Sequence, residues 1–307
     1  MAVMIYSQNT SLAIELLTAA KLYGQDVKAV SINDEKQAVV LKDYGADVYS
    51  IKTNSTTADT LALAEILKRA AAELEADIVM LSSDRRGKEL AGRLAQKLNA
   101  GCLTDIKAIY VKGSDVEFER NAFGGATIAT QSIIGEKKVL TISPKAFKPS
   151  TPDAVGKISD FPVDEIEDSL KVNEVLPKAA DTVDISDAKF LIAVGCGVQK
   201  SDYLPVIETI AENIGARVGC SKPVASDWKW FPEDRIIGLS GKICNPDIAV
   251  ILGVSGQVQF AVGVRSARIL ISINIDENAP INGMADYYLT ADLSEVLPQI
   301  IGALAKE

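Results

Sequence analysis

Short apolar runs alternate along this chain with stretches in which apolar residues recur at i, i+3 and i+4. Residues 3–6, 27–32, 47–51 and 77–81 read as strands, and 11–23, 35–44, 59–75 and 87–98 as helices. Such alternation, with short connections, predicts a parallel sheet covered on both faces. Past residue 101 the helical period stops, and 108–111, 116–120 and 138–142 read as strands completing that sheet. From 143 to 187 helical periodicity lapses, proline recurs and acids gather at "DEIEDSL"; a strand at 170–175 fits the pattern. A second alternating series follows. It has strands at 189–194, 216–220, 248–252, 269–274 and 287–290, and helices at 203–214, 257–264 and 295–305. The expected fold class is α/β, with two tandem domains on parallel-sheet cores. We expect the domains at 1–145 and 188–307, joined by a linker and boundary segment at 146–187.

Composition narrows the chemistry. The 307 residues are enough for two cores, and the 48% hydrophobic and 24% charged content is ordinary for globular proteins. A net charge of −9 without a basic stripe argues against nucleic acid and anionic membranes as partners. No apolar run is long enough to insert in a membrane, and residues 1–8 lack signal-peptide form, so a cytoplasmic location is expected. The absence of histidine removes His-based triads, general bases and metal ligands. Cys102, Cys196, Cys220 and Cys244 show no Cys-x-x-Cys spacing and read as inert thiols rather than zinc ligands or disulfides. Any reaction here relies on a cofactor.

In an open α/β sheet, ligands bind beyond the carboxyl ends of the strands. In the second series those ends read "VGCG" (194–197), "GCSK" (219–222), "GVSG" (253–256), "INID" (273–276) and "LTAD" (289–292), with "IIGLSGK" (236–242) between two of them. Small residues, hydroxyls and carboxamides collect there, which points to a nucleotide. "GVSG" alone allows two readings. It is either a tight turn with Ser255 capping the next helix, or an anion site on that helix's free amides. "VGCGVQK" begins like a dinucleotide fingerprint, but Lys200 takes the third glycine position. The next strand ends in Ser221 and Lys222, not in the acid an NAD ribose requires, so a plain nicotinamide dehydrogenase is disfavoured. A cation there suits a phosphate or an electron-rich ring. In the first half, "YSQNTSL" lacks glycine and offers no phosphate loop.

Taken together, "GCSKPVASDWKWFPEDRIIGLSGKICNPDIAVILGVSGQVQF" and "SINIDENAPINGMADYYLTADLSEVLPQI" resemble the C-terminal FAD domain of electron-transfer flavoprotein α subunits. "RRGKELAGRLAQKLNAGCLTDI" and "NAFGGATIATQ" are similar, more weakly, to that family's N-terminal domain. The resemblance implies a Rossmann-like second domain holding FAD. It implies that Ser240 offers its hydroxyl to flavin N5 and that Ile237, Gly238 and Leu239 line the isoalloxazine. Ser255, Gly256 and the amides of their turn, which continues through Gln257 and Val258, would hold the pyrophosphate. Gln259 and Asn274 would bond the cofactor, Asp292 and Leu293 would meet its adenosine, and Ser221 and Lys222 would lie beside flavin and phosphates. The implied partners are a β subunit, through the first domain, and a dehydrogenase donor and an oxidoreductase acceptor of electrons. The protein would be an electron carrier rather than a catalyst with its own substrate.

Four of these site positions depart from the family pattern. Lys222 stands for an arginine, Leu239 for a glutamine, Phe260 for a histidine and Cys196 for an arginine. Lysine keeps the charge but loses the planar fork. The lost arginine and histidine favour an alternative reading, a nucleotide-binding regulatory or assembly protein of the same fold without redox work. Trp228 and Trp230 read as packing residues rather than an electron relay, and "DRRGK" as a helix start with a solvated face.

Overall fold

The computed structural model describes residues 2–23, 26–113, 115–123, 127–149, 155–164, 166–174 and 184–304. The chain divides into two compact units, Met1–Leu176 and Pro177–Glu307.

In the first unit β1 (Ala2–Tyr6), β2 (Asp26–Ile32), β3 (Asp47–Ile51) and β4 (Ala76–Ser82) alternate with α1 (Thr10–Leu22), α2 (Glu35–Asp43), α3 (Thr60–Glu73) and α4 (Arg85–Leu98). Then come β5 (Gly101–Lys112), β6 (Asp115–Ala122), β7 (Thr127–Gln131), β8 (Lys138–Ile142) and β9 (Ile158–Asp160). They form one sheet in the order β7-β6-β5-β8-β4-β1-β2-β3-β9. The run from β5 to β9 through β8 is parallel, whereas β6 and β7 fold back antiparallel at one edge. The strand side chains alternate between two cores: Val3 and Ile5 meet α1 and α2 on one face, Met4 and Tyr6 meet α3 and α4 on the other. Each of the four helices starts on a side-chain cap, from Asn9, Asp34, Asp59 or Asp84.

Three details differ from the sequence expectation. β5 begins seven residues earlier than expected, because a bulge between Leu103 and Ile106, with Asp105 at φ +61°, interrupts its alternation. β7 was not expected; it is a largely exposed edge strand with no buried face to mark it. The expected strand at 170–175 is absent over 170–174, and residue 175 lies outside the described residues. The extra strand on that edge is β9, which pairs with β3.

The second unit contains β10 (Phe190–Val194), α5 (Leu204–Asn213), β11 (Arg217–Cys220), α6 (Lys222–Ser226), β12 (Ile248–Leu252), α7 (Val258–Ala261), β13 (Ile269–Asn274), β14 (Tyr287–Thr290) and α8 (Leu293–Leu304). The last helix was expected to reach 305, which lies outside the described residues. All strands are parallel, in the order β11-β10-β12-β13-β14. In order of occurrence this is 2-1-3-4-5, a doubly wound arrangement whose connections reverse direction between β10 and β12. Ile192 and Val194 face α5 and α8, while Leu191 and Ala193 face a layer built from Ile237, Phe260, Val264 and Ile281. That second layer is mostly irregular chain. The helix expected over 257–264 is only the four residues of α7, followed by turns, and its cap is Gln257 rather than Ser255.

Candidate functional site

The reversal between β10 and β12 creates a crevice at the carboxyl ends of those strands, where neighbouring connections leave to opposite faces. The two turns there interlock through their backbones. Gly195 donates to the Leu252 carbonyl at 2.8 Å and Gly197 to the Gly253 carbonyl at 2.8 Å. Gly253 has φ +61°, and a Cβ on it would lie 2.7 Å from the Gly197 backbone. Only glycine fits so close an approach.

A cleft of about 800 Å³ opens beside this interlock, within the range of small-molecule sites. Of the residues singled out from the sequence, Cys196, Ser221, Lys222, Ile237, Leu239, Ser240, Ser255, Gln257, Gln259, Phe260 and Asn274 line it. Gly238, Gly256 and Val258 do not. Gly238 has φ +122° and sits behind the wall, where a Cβ would strike the Gln259 carbonyl; Gly256 packs against Ile281, and Val258 faces solvent. Asp292 and Leu293 line a second depression of about 190 Å³, which shares Gly197, Gly253 and Asn274 with the cleft. Pro223, Ser226, Asp227, Val254, Asp276 and Ala279 also line the cleft and are not among the residues expected from the sequence. Asp276 and Val254 lay within the quoted strand ends and were legible there. Asp227 carries no local signal, because it reaches the cleft from the end of α6.

The walls are held by backbone contacts. Segment 236–242 lies along the end of β11, with Ile237 donating to the Cys220 carbonyl at 2.9 Å and Lys242 to that of Ile236 at 2.7 Å. Leu239 donates to the Gln259 carbonyl at 2.9 Å, which joins this segment to α7. Asn274 clamps the floor: its amide donates to the Val254 carbonyl at 2.9 Å, and its carbonyl oxygen accepts from the Asp276 amide at 3.1 Å. Phe260 is 7% exposed and belongs to both the core layer and the cleft wall. Trp228 and Trp230 pack on each other with ring centroids 4.5 Å apart.

The electrostatics follow from this frame. The amides of residues 254–259 donate to no acceptor among the described residues. A run of unpaired N–H groups at the mouth of a cleft is a receptor for an anion. The anion reading of "GVSG" is therefore carried by the turn itself; α7 is too short to add much dipole. Burial pushes the Cys196 thiol up, the Ser221 hydroxyl opposes that, and the Asp227 carboxylate adds to it. Burial raises Cys220 to about 12. Neither thiol is poised as a nucleophile. The Ser294 amide and hydroxyl hold the Asp292 carboxyl below its usual value, against slight burial and with help from the Lys200 charge. Among the described residues no cluster of acids and thiols could hold a metal ion, and no helix is long and apolar enough to cross a membrane.

The equivalent point of the first unit, between β1 and β4, is closed. Ser7 and Ser82 share a hydrogen bond of 2.9 Å, Ser82 donates to Asp84 at 2.6 Å, and Arg86 reaches Gln8 and the Thr57 carbonyl at 3.3 Å. Only about 20 Å³ is left there.

Known families match both parts of the chain. The electron transfer flavoprotein domain matches residues 10–166, and the electron transfer flavoprotein FAD-binding domain matches residues 184–265. The Escherichia coli K12 protein named "Putative electron transfer flavoprotein subunit YdiR" is 32% identical over 99% of this chain and 98% of its own. Protein FixB of Escherichia coli O127:H6 is 28% identical, and Protein FixB of Salmonella agona 29%, each over 99% of this chain and 98% of their own. The interlocked glycine turns, the unpaired amides and the full-length match agree: the chain belongs to the electron transfer flavoprotein family, as an α-type subunit carrying the family's FAD-binding domain.

Proposed function

We propose that the β10/β12 cleft is where the second unit holds FAD, and that the protein, paired with a β subunit, carries electrons from a dehydrogenase to a partner oxidoreductase. The observation that carries this reading is the run of unpaired amides at 254–259 beside a cleft that continues into a second depression. An elongated dinucleotide with a central pyrophosphate fits a long, two-part site with an anion receptor along it. In this reading the roles expected from the sequence fall to those of the expected residues that line the two depressions. Ser255 and the amides through Gln259 bind phosphate, Ser221 and Lys222 flank it, and Asp292 and Leu293 bound the second depression. Ile237, Leu239 and Phe260 form an apolar wall that excludes water from one side, and Ser240 brings a hydroxyl to the same rim. Residues 1–145 serve association with the β subunit; within 146–187, β9 and the Phe161, Val163 and Ile166 side chains add to the first unit's sheet and core, and the segment leads to the FAD domain at 188–307.

When bound, the isoalloxazine supplies the redox chemistry. The residues bind and orient it, and tune its potential through the charges and donors they place around it. Purification with the β subunit tests the reading. We expect a yellow complex with a flavin absorbance spectrum that bleaches on reduction, and release of FAD on denaturation. A colourless complex that takes up no FAD would favour the non-redox reading, which the apolar Phe260 and the forkless Lys222 support. Cofactor density over the strand ends of the first unit would overturn the placement.

A further inference from the structure

Lys200 occupies the third glycine position of a fingerprint the chain only half follows, and the cofactor reading above gives it no task. Its backbone is nevertheless held firmly. The Lys200 amide donates to the Val198 carbonyl at 2.7 Å, and its own carbonyl accepts from Tyr203 at 3.3 Å. Gln199 before it has φ +58°, a left-handed conformation that a residue with a side chain adopts only when its surroundings impose it. The turn thus delivers Lys200 to the second depression, beside Asp292 and Leu293.

The charge inventory shows why a cation matters there. Among the described residues, Asp227 and Asp276 line the main cleft against one ammonium, that of Lys222. In the second depression Lys200 is the lining cation and Asp292 the lining acid. An anionic ligand approaching a chain of net charge −9 therefore meets more carboxylates than ammonium groups along this route. The Asp292 carboxylate is already engaged by the Ser294 amide at 2.8 Å, and Lys200 acts on it only through its field. Among the described residues no acceptor bonds the Lys200 ammonium, which leaves it for a ligand.

We propose that Lys200 is a selectivity residue, pairing with the adenosine-side phosphate of the bound dinucleotide so that the site takes FAD in preference to FMN. The inference rests on the cleft reading given above. FMN ends at one phosphate and is accommodated by the main cleft. Only a dinucleotide continues past Gly197 and Gly253 into the depression that Lys200 lines. The amides of 254–259 serve either flavin, whereas Lys200 serves only the longer one.

The test uses the full chain with its β subunit, stripped of flavin and titrated with FAD and with FMN by flavin fluorescence. Lys200→Gln should weaken FAD roughly ten- to a hundredfold, the loss of one charge-assisted contact, and leave FMN within about twofold. Lys200→Arg should keep FAD affinity, and the salt dependence of FAD binding should be shallower in Lys200→Gln than in wild type. Unchanged FAD affinity in Lys200→Gln overturns this inference while leaving the cleft reading intact. So does an equal loss of FAD and FMN, which would make Lys200 a general electrostatic or structural residue. A wild-type complex that binds neither flavin overturns the cleft reading, and this inference falls with it.

Discussion

Phe260 shows how one substitution changes a site without disturbing its frame. Its ring packs in the layer with Ile237 and Ile281 and at the same time faces the cleft, so an apolar surface stands where the family pattern has a donor. A donor beside a group that gains negative charge on reduction stabilises the reduced form. Phe260→His should therefore raise the flavin midpoint potential by tens of millivolts, at a folding cost of about 1–3 kcal/mol for a polar ring in a packed position. Anaerobic redox titration of both proteins reads this directly, and an unmoved potential would remove Phe260 from the cofactor's surroundings. Ser240 works in the opposite sense. Its side chain is exposed on the 236–242 loop and makes no bond to the protein among the described residues, so it is available to a ligand. Ser240→Ala should lower the potential by tens of millivolts while folding stability stays within about 0.5 kcal/mol, as for other surface changes. A potential equal to wild type counts against its place at the flavin.

At the scale of elements, α3 depends on one carboxylate that serves two segments. Asp59 caps the helix by accepting from Leu61 at 2.8 Å and Ala62 at 3.2 Å, and it also accepts from the Ser169 amide at 2.5 Å and hydroxyl at 2.7 Å. The segment it holds begins at β9 and packs Phe161, Val163 and Ile166 on the core beneath α3 and α4. Burial by itself would raise this carboxyl. The Ser169 hydroxyl, with the Ala62, Ser169 and Leu61 amides, outweighs it and holds the carboxyl below its usual value. A depressed value means stability that is present above the unfolded carboxyl's pKa of about 4 and is lost as pH falls through the folded value. Asp59→Ala should cost about 2 kcal/mol at neutral pH through the lost cap and tie. Its deficit relative to wild type should narrow below pH ~4 in urea unfolding followed by circular dichroism. A deficit of constant size at all pH values would show that packing, not the charge, is responsible.

At the scale of the molecule, two doubly wound units carry opposite solutions at the same topological point. In the first, Ser7, Ser82 and Asp84 bond one another in the crevice between β1 and β4, and Arg86 closes its rim by donating to Gln8 and the Thr57 carbonyl. In the second, glycines at 195, 197 and 253 draw the turns together and leave amides free. A buried polar group must find a partner, so the first crevice is closed by its own side chains and the second calls for a ligand. The sequence already marked this contrast in "YSQNTSL", which has no glycine, and "GVSG", which has two.

The sequence by itself determined the alternation of strands and helices, the α/β class and the cluster of glycines and hydroxyls at strand ends. These are written in local side-chain period and in residues whose backbone freedom is intrinsic. Where local period was interrupted, it misled: the bulge at Asp105 hid the start of β5, the exposed faces of β7 hid that strand, and the apolar spacing of 257–264 overstated a four-residue helix. Tertiary structure alone decided the order of the strands, and hence that the ends of β10 and β12 lie side by side. It brought Asp227 to the cleft, turned the Asn274 side chain inward as a clamp, set Lys200 and Asp292 together, and left the amides of 254–259 without partners among the described residues. Each of these depends on groups far apart in the chain meeting through sheet pairing and backbone approach, and no local pattern encodes such meetings.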